Sequence, residues 1–550
     1  MSRRSPNSEG RMTNQARMSE TRTSDFGRNS GFVIRYSSLV VCLAAVLLAP
    51  AVGRAQVYDG LAIYNPVYSR TVSLVDTNGQ VVNSWNCTTT PGYTVYLMPD
   101  STIWRPGAYA GAVMRGGVYG GQIERYDWQG NVIRSFLWSD SNHQQHHDIH
   151  PMRNGNVLLL AWARKTQAEA RAMGRVDVTG DMWPEEIIEY DPDADSAVWI
   201  WRVWDHVIQD VDSTKPNYGV VRDHPELIDI NLGTLFFYGD WVHANIVEIN
   251  EERDEIVFSS HFLNELYVID HSTTTAEAAG HAGGRRGRGG DILYRWGNPQ
   301  NYRRGDSTDQ HFFVVHGANW IGPGLVGEGN ILVFNNGDRP GTGNDYSSVE
   351  EIIPPLDSSG DYHIHPDSAF GPAEPAWIYQ DPGNFNSAHM GGAYRMPNGN
   401  TFITEAVSGR LSEVNHDGEV VWQRNTTAWN GRAIKYPRNF GADVKEEEDR
   451  GAPGVTMEAM RVWSGSGNGS VMVSYSLPKA ACVNIQLFDA AGRAAAAYRL
   501  GSQAAGQHAA ELSLPQAGAG VYFAWLVADM AGAKHGVERV KFVLTKQEGM

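Results

Sequence analysis

Three cysteines in 550 residues cannot staple a chain of this size. Cys42 lies in an apolar run near the N-terminus, and Cys87 and Cys482 fall in regions of different patterning, so no disulfide framework is expected. Domains large enough to hold themselves together do without one. Basic charge is also scarce: 45 Lys and Arg stand against 62 Asp and Glu, for a net charge of −17. That balance argues against nucleic acid or an anionic membrane surface as a partner. It leaves room for a small anionic substrate, which needs only local positive groups.

Long hydrophobic runs are nearly absent as well. The one uninterrupted stretch, 38–52, follows Arg28 and Arg35 and precedes Gly53-Arg54-Ala55, a plausible small-residue cleavage site. It reads as a secretory signal, too short for a membrane span, behind a long leader in which Met12 or Met18 is a candidate start. Cys42 lacks a lipobox context. Removing 1–55, with eight basic and three acidic residues, would leave a net charge of −22. The mature chain is therefore expected to be secreted, or held at the cell surface or in the periplasm, with no stable membrane span.

What the sequence does have is 59 glycines, 17 tryptophans and many short apolar runs, a composition that favours an all-β class over helices. The length calls for two domains or more. From Val57 onward one formula recurs: a polar turn, then alternating apolar residues leading to an aromatic. It runs from Thr77-Asn78-Gly79 to Trp85, from Gln129-Gly130-Asn131 to Phe136, from Asp193 to Trp201 in degenerate form, and from Asp417-Gly418 to Trp422. The irregular spacing of about fifty to sixty-odd residues is the scale of propeller blades, with long inserts at 165–182, 272–290 and 346–369. The insert 273–290 reads as low-complexity linker, its Arg285, Arg286 and Arg288 favouring a solvated loop over a cover for a site. The charged segment 441–454 reads as a second linker. Beyond it, 455–550 carries about seven short alternating strands, the pattern of a small immunoglobulin-like β-sandwich.

The stretch with most chemistry is 310–340. A β-branched and aromatic run from 311 to 315 ends on His316, a glycine-rich turn reverses the chain, and Ile331-Leu332-Val333-Phe334 empties into Asn335-Asn336-Gly337-Asp338-Arg339. Two strands joined by such a turn predict a hairpin. It carries an imidazole near the end of one strand and amides, an acid and a guanidinium at the end of the other.

His316-Gly317-Ala318-Asn319-Trp320, with Gly329-Asn330-Ile331-Leu332-Val333-Phe334-Asn335-Asn336-Gly337, resembles the signature of the bacterial arylsulfotransferase family. Further stretches agree in family order: Gln145-His146-His147-Asp148-Ile149, Val242-His243-Ala244-Asn245, 387–404 and Arg432-Ala433-Ile434-Lys435-Tyr436-Pro437. The resemblance spans about 57–440 and implies a six-bladed β-propeller over 56–440, acting on aryl sulfates and phenols without PAPS, cofactor or metal. It implies that His316 is a nucleophile that is transiently sulfated and that His147 and His243 bind the sulfuryl oxygens. Where the family carries an arginine after paired serines, Ser259-Ser260 is followed here by His261, leaving Arg295, Arg339 or a protonated His261 to supply the cation. Asn245, Asn336 and His389 join Arg295 and Arg339 as candidate substrate contacts. The C-terminal region is similar to sorting domains of the type IX secretion pathway, which implies attachment or secretion machinery as a partner.

Chemistry argues in parallel. Sulfuryl transfer resembles phosphoryl transfer, with a loose transition state in which positioning and preorganised donors do most of the catalysis. Neutral imidazole is a competent nucleophile near pH 7. Against this, a lone strand histidine is more often a packing residue, and Asn245, Asn336 and Asp338 suit loop pinning as well as substrate contact. His143, His146, His147, Asp148 and His150 are packed too closely in sequence for a zinc site, and alternation would split them between faces. Two other readings stand beside transfer: a catalytically silent surface propeller that binds a glycan or protein, and a metal-dependent hydrolase.

Overall fold

The computed structural model describes residues 56–440 except 236–238, 340, 342, 344, 427–428 and 439, then 458–464, 470–477, 480–489, 494–513, 520–530 and 536–544. The expected signal segment 1–55 and linker 441–454 lie outside the described residues. Six four-stranded antiparallel sheets form a six-bladed propeller. From axis to rim, blade 1 is Ile434–Pro437, Gly60–Tyr64, Thr71–Asp76 and Val81–Asn86. Blades 2 to 6 follow in chain order, with innermost strands Tyr96–Leu97, His143–Pro151, Ala244–Asn250, Val315–Trp320 and Gly392–Arg395. The strand Ile434–Pro437 pairs with Gly60–Tyr64 in the register Gly60↔Pro437, so the two ends of the region close the ring.

Burial explains why the strands read differently along each blade. Val157–Ala163 and Glu255–Ser260, second in their blades, are buried throughout because both faces pack against neighbouring blades. The rim strands Val81–Asn86, Val132–Leu137 and Val420–Asn425 are largely exposed. These rim strands, with Ser196–Arg202, are the repeated formula of the sequence. Its aromatic residues clamp each blade to the next. The indole N–H groups of Trp85, Trp201, Trp296, Trp377 and Trp422 donate to carbonyls of Asp127, Gly290, Pro372, His416 and Thr77, all on the following blade or its insert, at 2.7–2.9 Å. Blade 2 uses a ring instead, stacking Phe136 on Tyr190 of blade 3 at 4.2 Å. An indole fits this place because it buries apolar area and satisfies one carbonyl together.

The inserts are more ordered than their composition suggests. Thr166 caps the helix Gln167–Ala172, and Thr274 caps Thr275–Ala278, each in a capping box with a glutamate three residues on. Arg286 binds the Glu255 carboxylate at 2.6 Å and Arg285 donates to the Arg253 carbonyl at 3.0 Å. The insert is thus no free linker, and these two arginines are anchored to the blade 4 turn around Arg253–Glu255. Beyond 457, the described residues form a three-stranded and a four-stranded antiparallel sheet. Cys87 is buried and Cys482 exposed, both as free thiols. Among the described residues no helix is long and apolar enough to cross a membrane.

Candidate active site

His316 does not end the first strand of its hairpin, as the pattern suggested; it stands near the start of Val315–Trp320. The apolar run before it makes no regular strand because the chain kinks there, although the carbonyls of Phe313 and Val314 still accept from the Gly337 and Asn336 N–H groups at 2.7 and 2.8 Å. Val314 sits at φ +62°, and positive φ recurs at His147, +48°, inside the innermost strand of blade 3, and at His243, +51°, and Met390, +57°, ahead of blades 4 and 6. Left-handed backbone costs an L-residue about 1–2 kcal/mol and is a marked outlier for a β-branched one. It persists where surrounding bonds over-determine it. Here the side-chain carbonyls of Asn264 and Asn335 accept from the Val314 and Phe313 N–H groups at 2.6 and 2.9 Å. The Glu185 carboxylate accepts from the Ala244 N–H at 2.8 Å. Bulges between Gln145 and Ile149, Ala244 and Ile246, and Val315 and Gly317 absorb the extra residues. At Gly317 a Cβ would crowd the paired strand of its own blade, standing 3.2 Å from the Phe334 Cβ.

The kinks bring histidines from three blades together. Ring centroids are 4.7 Å apart for His147 and His243, 5.1 Å for His243 and His261, and 4.8 Å for His261 and His316. His147, His243 and His316 are buried, and His261 is half-buried. His389 is exposed beside them, close enough to bear on the charge of both His261 and His316.

Hydrogen bonds assign most of the ring protons. Asn336 donates its amide N–H groups to the carbonyls of Ser387 and Met390 at 2.6 and 2.8 Å, so its oxygen must face the His316 Nδ1, 2.7 Å away. Nδ1 of His316 therefore carries the proton, and Nε2 keeps its lone pair. His243 Nδ1 pairs with the Asp240 carboxylate. His147 Nδ1 meets His146 Nδ1 at 2.9 Å, while His146 stacks on Trp162 at 3.9 Å with Nε2 buried and unpartnered. A buried bare N–H costs more than a bare lone pair, so His146 is the donor and His147 presents an Nε2–H.

Burial sets the charges. It pushes His316 down to about 3 despite the Asn336 bond, and holds His146, His147 and His261 well below the usual histidine range, with neighbouring imidazoles adding to the effect. His261 is neutral, not the standing cation considered from the sequence. Glu185 is pushed well above the carboxylate range by burial and then by Asp240.

The other expected contacts are placed elsewhere. Arg295 is fully buried in blade 4, held by Glu265 at 2.9 and 2.5 Å and by the Leu227 carbonyl, between the rings of Tyr267 and Tyr302. Its guanidinium is committed to the blade and is no anion ligand. Arg339 lies 4.1 Å from the Tyr346 centroid and 5.4 Å from that of Phe313, and donates to the carbonyls of Gly337 and Tyr346. Asn245 bridges the Val315 carbonyl and the Ser259 hydroxyl at 2.8 and 2.7 Å, which pins blade 4 to blade 5. Asn336 positions His316. Trp241 and Trp320 are core residues, whereas Phe262 and Phe313 are half-buried, Phe262 packing on His243 and His261 at 4.7 and 4.8 Å.

Sequence reasoning passed over Asp240, Glu185, Tyr93 and the role of His146. Asp240 stands three residues before His243, a spacing that only the left-handed kink turns into a contact. Tyr93 packs edge-on to His147 at 5.6 Å and separates the histidines from a second polar layer around Arg432. There the Arg432 guanidinium binds Asp148 at 2.7 Å and the Tyr96 hydroxyl at 2.8 Å. Among the described residues one group, His206, His281 and Asp291, has donor atoms close enough together for a metal. Both nitrogens of His206 are already spent on Asp291 and the Ala278 carbonyl, at 3.0 and 2.8 Å, a bonding pattern that ties the insert to blade 3.

The comparisons bear on family rather than on detail. The arylsulfotransferase (ASST) family model matches residues 54–440. No curated protein matches the chain. Among solved structures, a Bacteroides caccae protein of unknown function aligns at 9% identity and TM-score 0.37, over 68% of this chain and 98% of that one. A streptogramin B lyase aligns at 11% identity and TM-score 0.31 over 68% and 86%, and Kuenenia stuttgartiensis hydrazine synthase at 11% and 0.31 over 66% and 82%. Likeness of that degree carries no functional argument. The family match spans the whole propeller with its ring of histidines, and the chain belongs to the arylsulfotransferase family, as an aryl-sulfate sulfotransferase.

Proposed function

We propose that the protein moves a sulfuryl group from an aryl sulfate to a phenolic acceptor without PAPS, through a ping-pong route in which Nε2 of His316 is transiently sulfated. The observation that carries this reading is the fixed tautomer of His316. An asparagine locked by two backbone carbonyls holds the proton on Nδ1 and leaves a desolvated lone pair on Nε2, among three other imidazoles. Such a nitrogen is a nucleophile that protons do not block at neutral pH.

In the first half-reaction the arene lies against Phe262 and Phe313, and the sulfuryl oxygens face the Nε2–H of His147 and the imidazole of His243. His316 Nε2 attacks sulfur as the bond to the phenolic oxygen breaks. Asp240 stabilises positive charge on His243 as the sulfuryl group is gripped, while the buried setting strengthens each donor. In the second half-reaction a phenol takes the sulfuryl group and the electron pair returns to Nε2. The region 455–550 serves as an immunoglobulin-like sorting or attachment module, and 1–55 as a secretion signal, for an enzyme that works outside the cytoplasm.

Chromogenic aryl sulfate turnover tests the reading. Release of the chromophore should depend on an added phenol, need no PAPS and give parallel lines in double-reciprocal plots. Hydrolysis indifferent to the phenol would overturn transfer. The replacement of the family arginine by His261 favours one rival, a silent binding propeller, which predicts no release at all.

A further inference from the structure

Transfer leaves one requirement unmet by the groups already assigned. A phenolate must gain a proton as it leaves, and an acceptor phenol must lose one as it attacks. His316 holds its only proton against Asn336, while His147 and His243, their Nδ1 atoms bound to His146 and Asp240, are given in the reading above to the sulfuryl oxygens rather than to the phenolic one. His261 differs. Its ring stands 4.8 Å from that of His316 and 4.8 Å from that of Phe262, and its Nδ1 is buried with no hydrogen-bond partner. The His261 backbone is tied to blade 4, its N–H donating to the His243 carbonyl at 3.1 Å.

We propose that His261 is a catalytic acid and base that exchanges the proton of the phenolic oxygen through Nε2, the open nitrogen of this half-buried ring, a task that a permanently charged guanidinium at this position does not perform. This rests on the transfer reading above. In the first half-reaction the S–O bond breaks, the electron pair goes to the phenolic oxygen, and the Nε2 proton of the His261 imidazolium neutralises it as the bond from sulfur to Nε2 of His316 forms. In the second, the acceptor O–H gives its proton to neutral His261, the new S–O bond forms, and the S–N pair returns to His316. Donor and acceptor exchange one sulfuryl group, and the proton count closes.

The groups facing His261 explain how one ring serves both directions. His316 of blade 5, His243 of blade 4 and His389 ahead of blade 6 bear on it, with His147 of blade 3 beyond, and the carboxylate of Asp240 is engaged by His243. Imidazoles and burial keep the empty site uncharged at this ring. Arrival of the sulfate monoanion supplies the missing negative charge, so His261 takes a proton from solvent as the donor binds. In a loose transition state negative charge gathers on the leaving oxygen as the S–O bond breaks, which is where a proton helps most.

The test compares two donors whose leaving phenols differ in acidity. Phenyl sulfate leaves as a strongly basic phenolate, 4-nitrophenyl sulfate as a weakly basic one. His261→Gln should lower kcat/KM for phenyl sulfate by about 10²–10⁴-fold, the range of a general acid, and for 4-nitrophenyl sulfate by under about tenfold. Equal losses on both donors would overturn the proposal and leave His261 a packing or oxygen-binding residue, with transfer itself untouched. Should the variant not fold, single-turnover phenol release by the wild type in H₂O and D₂O decides. Slowing in D₂O with phenyl sulfate alone supports proton transfer by His261, and the same ratio for both donors overturns it. A wild-type protein silent toward both donors would overturn the transfer reading, and the proposal with it.

Discussion

Removing the Asn336 side chain should disable the nucleophile without touching it. In Asn336→Ala the Met390 carbonyl and the Nδ1–H of His316 lose their partner inside a buried site, and the Ser387 carbonyl keeps only the Ser347 hydroxyl at 3.5 Å. At about 1–3 kcal/mol for each unsatisfied buried group, partly relieved by water entering the gap, the cost is about 2–5 kcal/mol of stability. Freed of its acceptor, the His316 ring can turn and can carry its proton on either nitrogen. His316 sulfation should then slow by about 10²-fold, the usual result of a small misplacement of a reacting group. Asn336→Asp is the informative companion. Its carboxylate accepts from Nδ1 and favours imidazolium, so the acid limb of the rate, set by a His316 pKa of about 3, should move to higher pH; Asn336→Ala, which loses a bond that raises that pKa, should show no upward move. Urea unfolding gives the stability term, and single-turnover release of 4-nitrophenol across pH gives the rest. Wild-type sulfation rates in a folded Asn336→Ala protein would refute the claim that this amide sets the tautomer.

Further expectations follow from neighbouring groups. Asp240→Asn keeps the shape beside His243 but removes its negative charge, and should cut kcat by about 10²-fold or more, read by steady-state kinetics with circular dichroism as a control for folding. Arg295→Met leaves Glu265 buried without its cation and should cost about 3–5 kcal/mol in urea unfolding while KM for the donor stays put; a raised KM in a stable variant would return Arg295 to the substrate site. Stability should also depend on pH through the buried histidines. His316, at about 3, and His150, at about 4, together with His146, His147 and His261, are all held below the ordinary value by burial, so the unfolded chain binds more protons and stability falls as pH drops below about 6.5. Each contributes about 1.4 kcal/mol per pH unit between its unfolded and folded pKa. His271, raised to about 9 by the carboxylates of Asp254 and Glu189 despite its burial, acts in the opposite sense and loses its contribution as pH rises from about 6.5 through 9. The buried carboxyls of Glu185, held well above the carboxylate range, and Glu248, raised to about 8, also oppose the five histidines without outnumbering them. Urea midpoints that stay flat between pH 6.5 and 5 would contradict this count.

The blades were legible because their rim strands repeat a turn, an alternation and an aromatic, and the structure gives those aromatics a reason: an indole that reaches the next blade. The inner strands were harder to place. His311 to Val314 have the composition of a strand, yet side chains of Asn264 and Asn335 capture the N–H groups of Val314 and Phe313, so that the regular register begins only at Val315. A positive φ at His147, His243 or Val314 leaves no mark in composition, so neither the Asp240 contact nor the His146 bond could be read from spacing. Arg295 misled for a related reason. A guanidinium in a β-strand looks available until the Glu265 beside it, thirty positions earlier, is seen across the sheet.

Covalent capture tests the central claim most directly. The wild-type protein, exposed to an aryl sulfate with no acceptor and digested without acid, should show one sulfuryl group on His316 by tandem mass spectrometry. The label should vanish when a phenol is added and be absent from His316→Asn. An active wild type that never carries the label, or a label that persists in His316→Asn, would contradict the account.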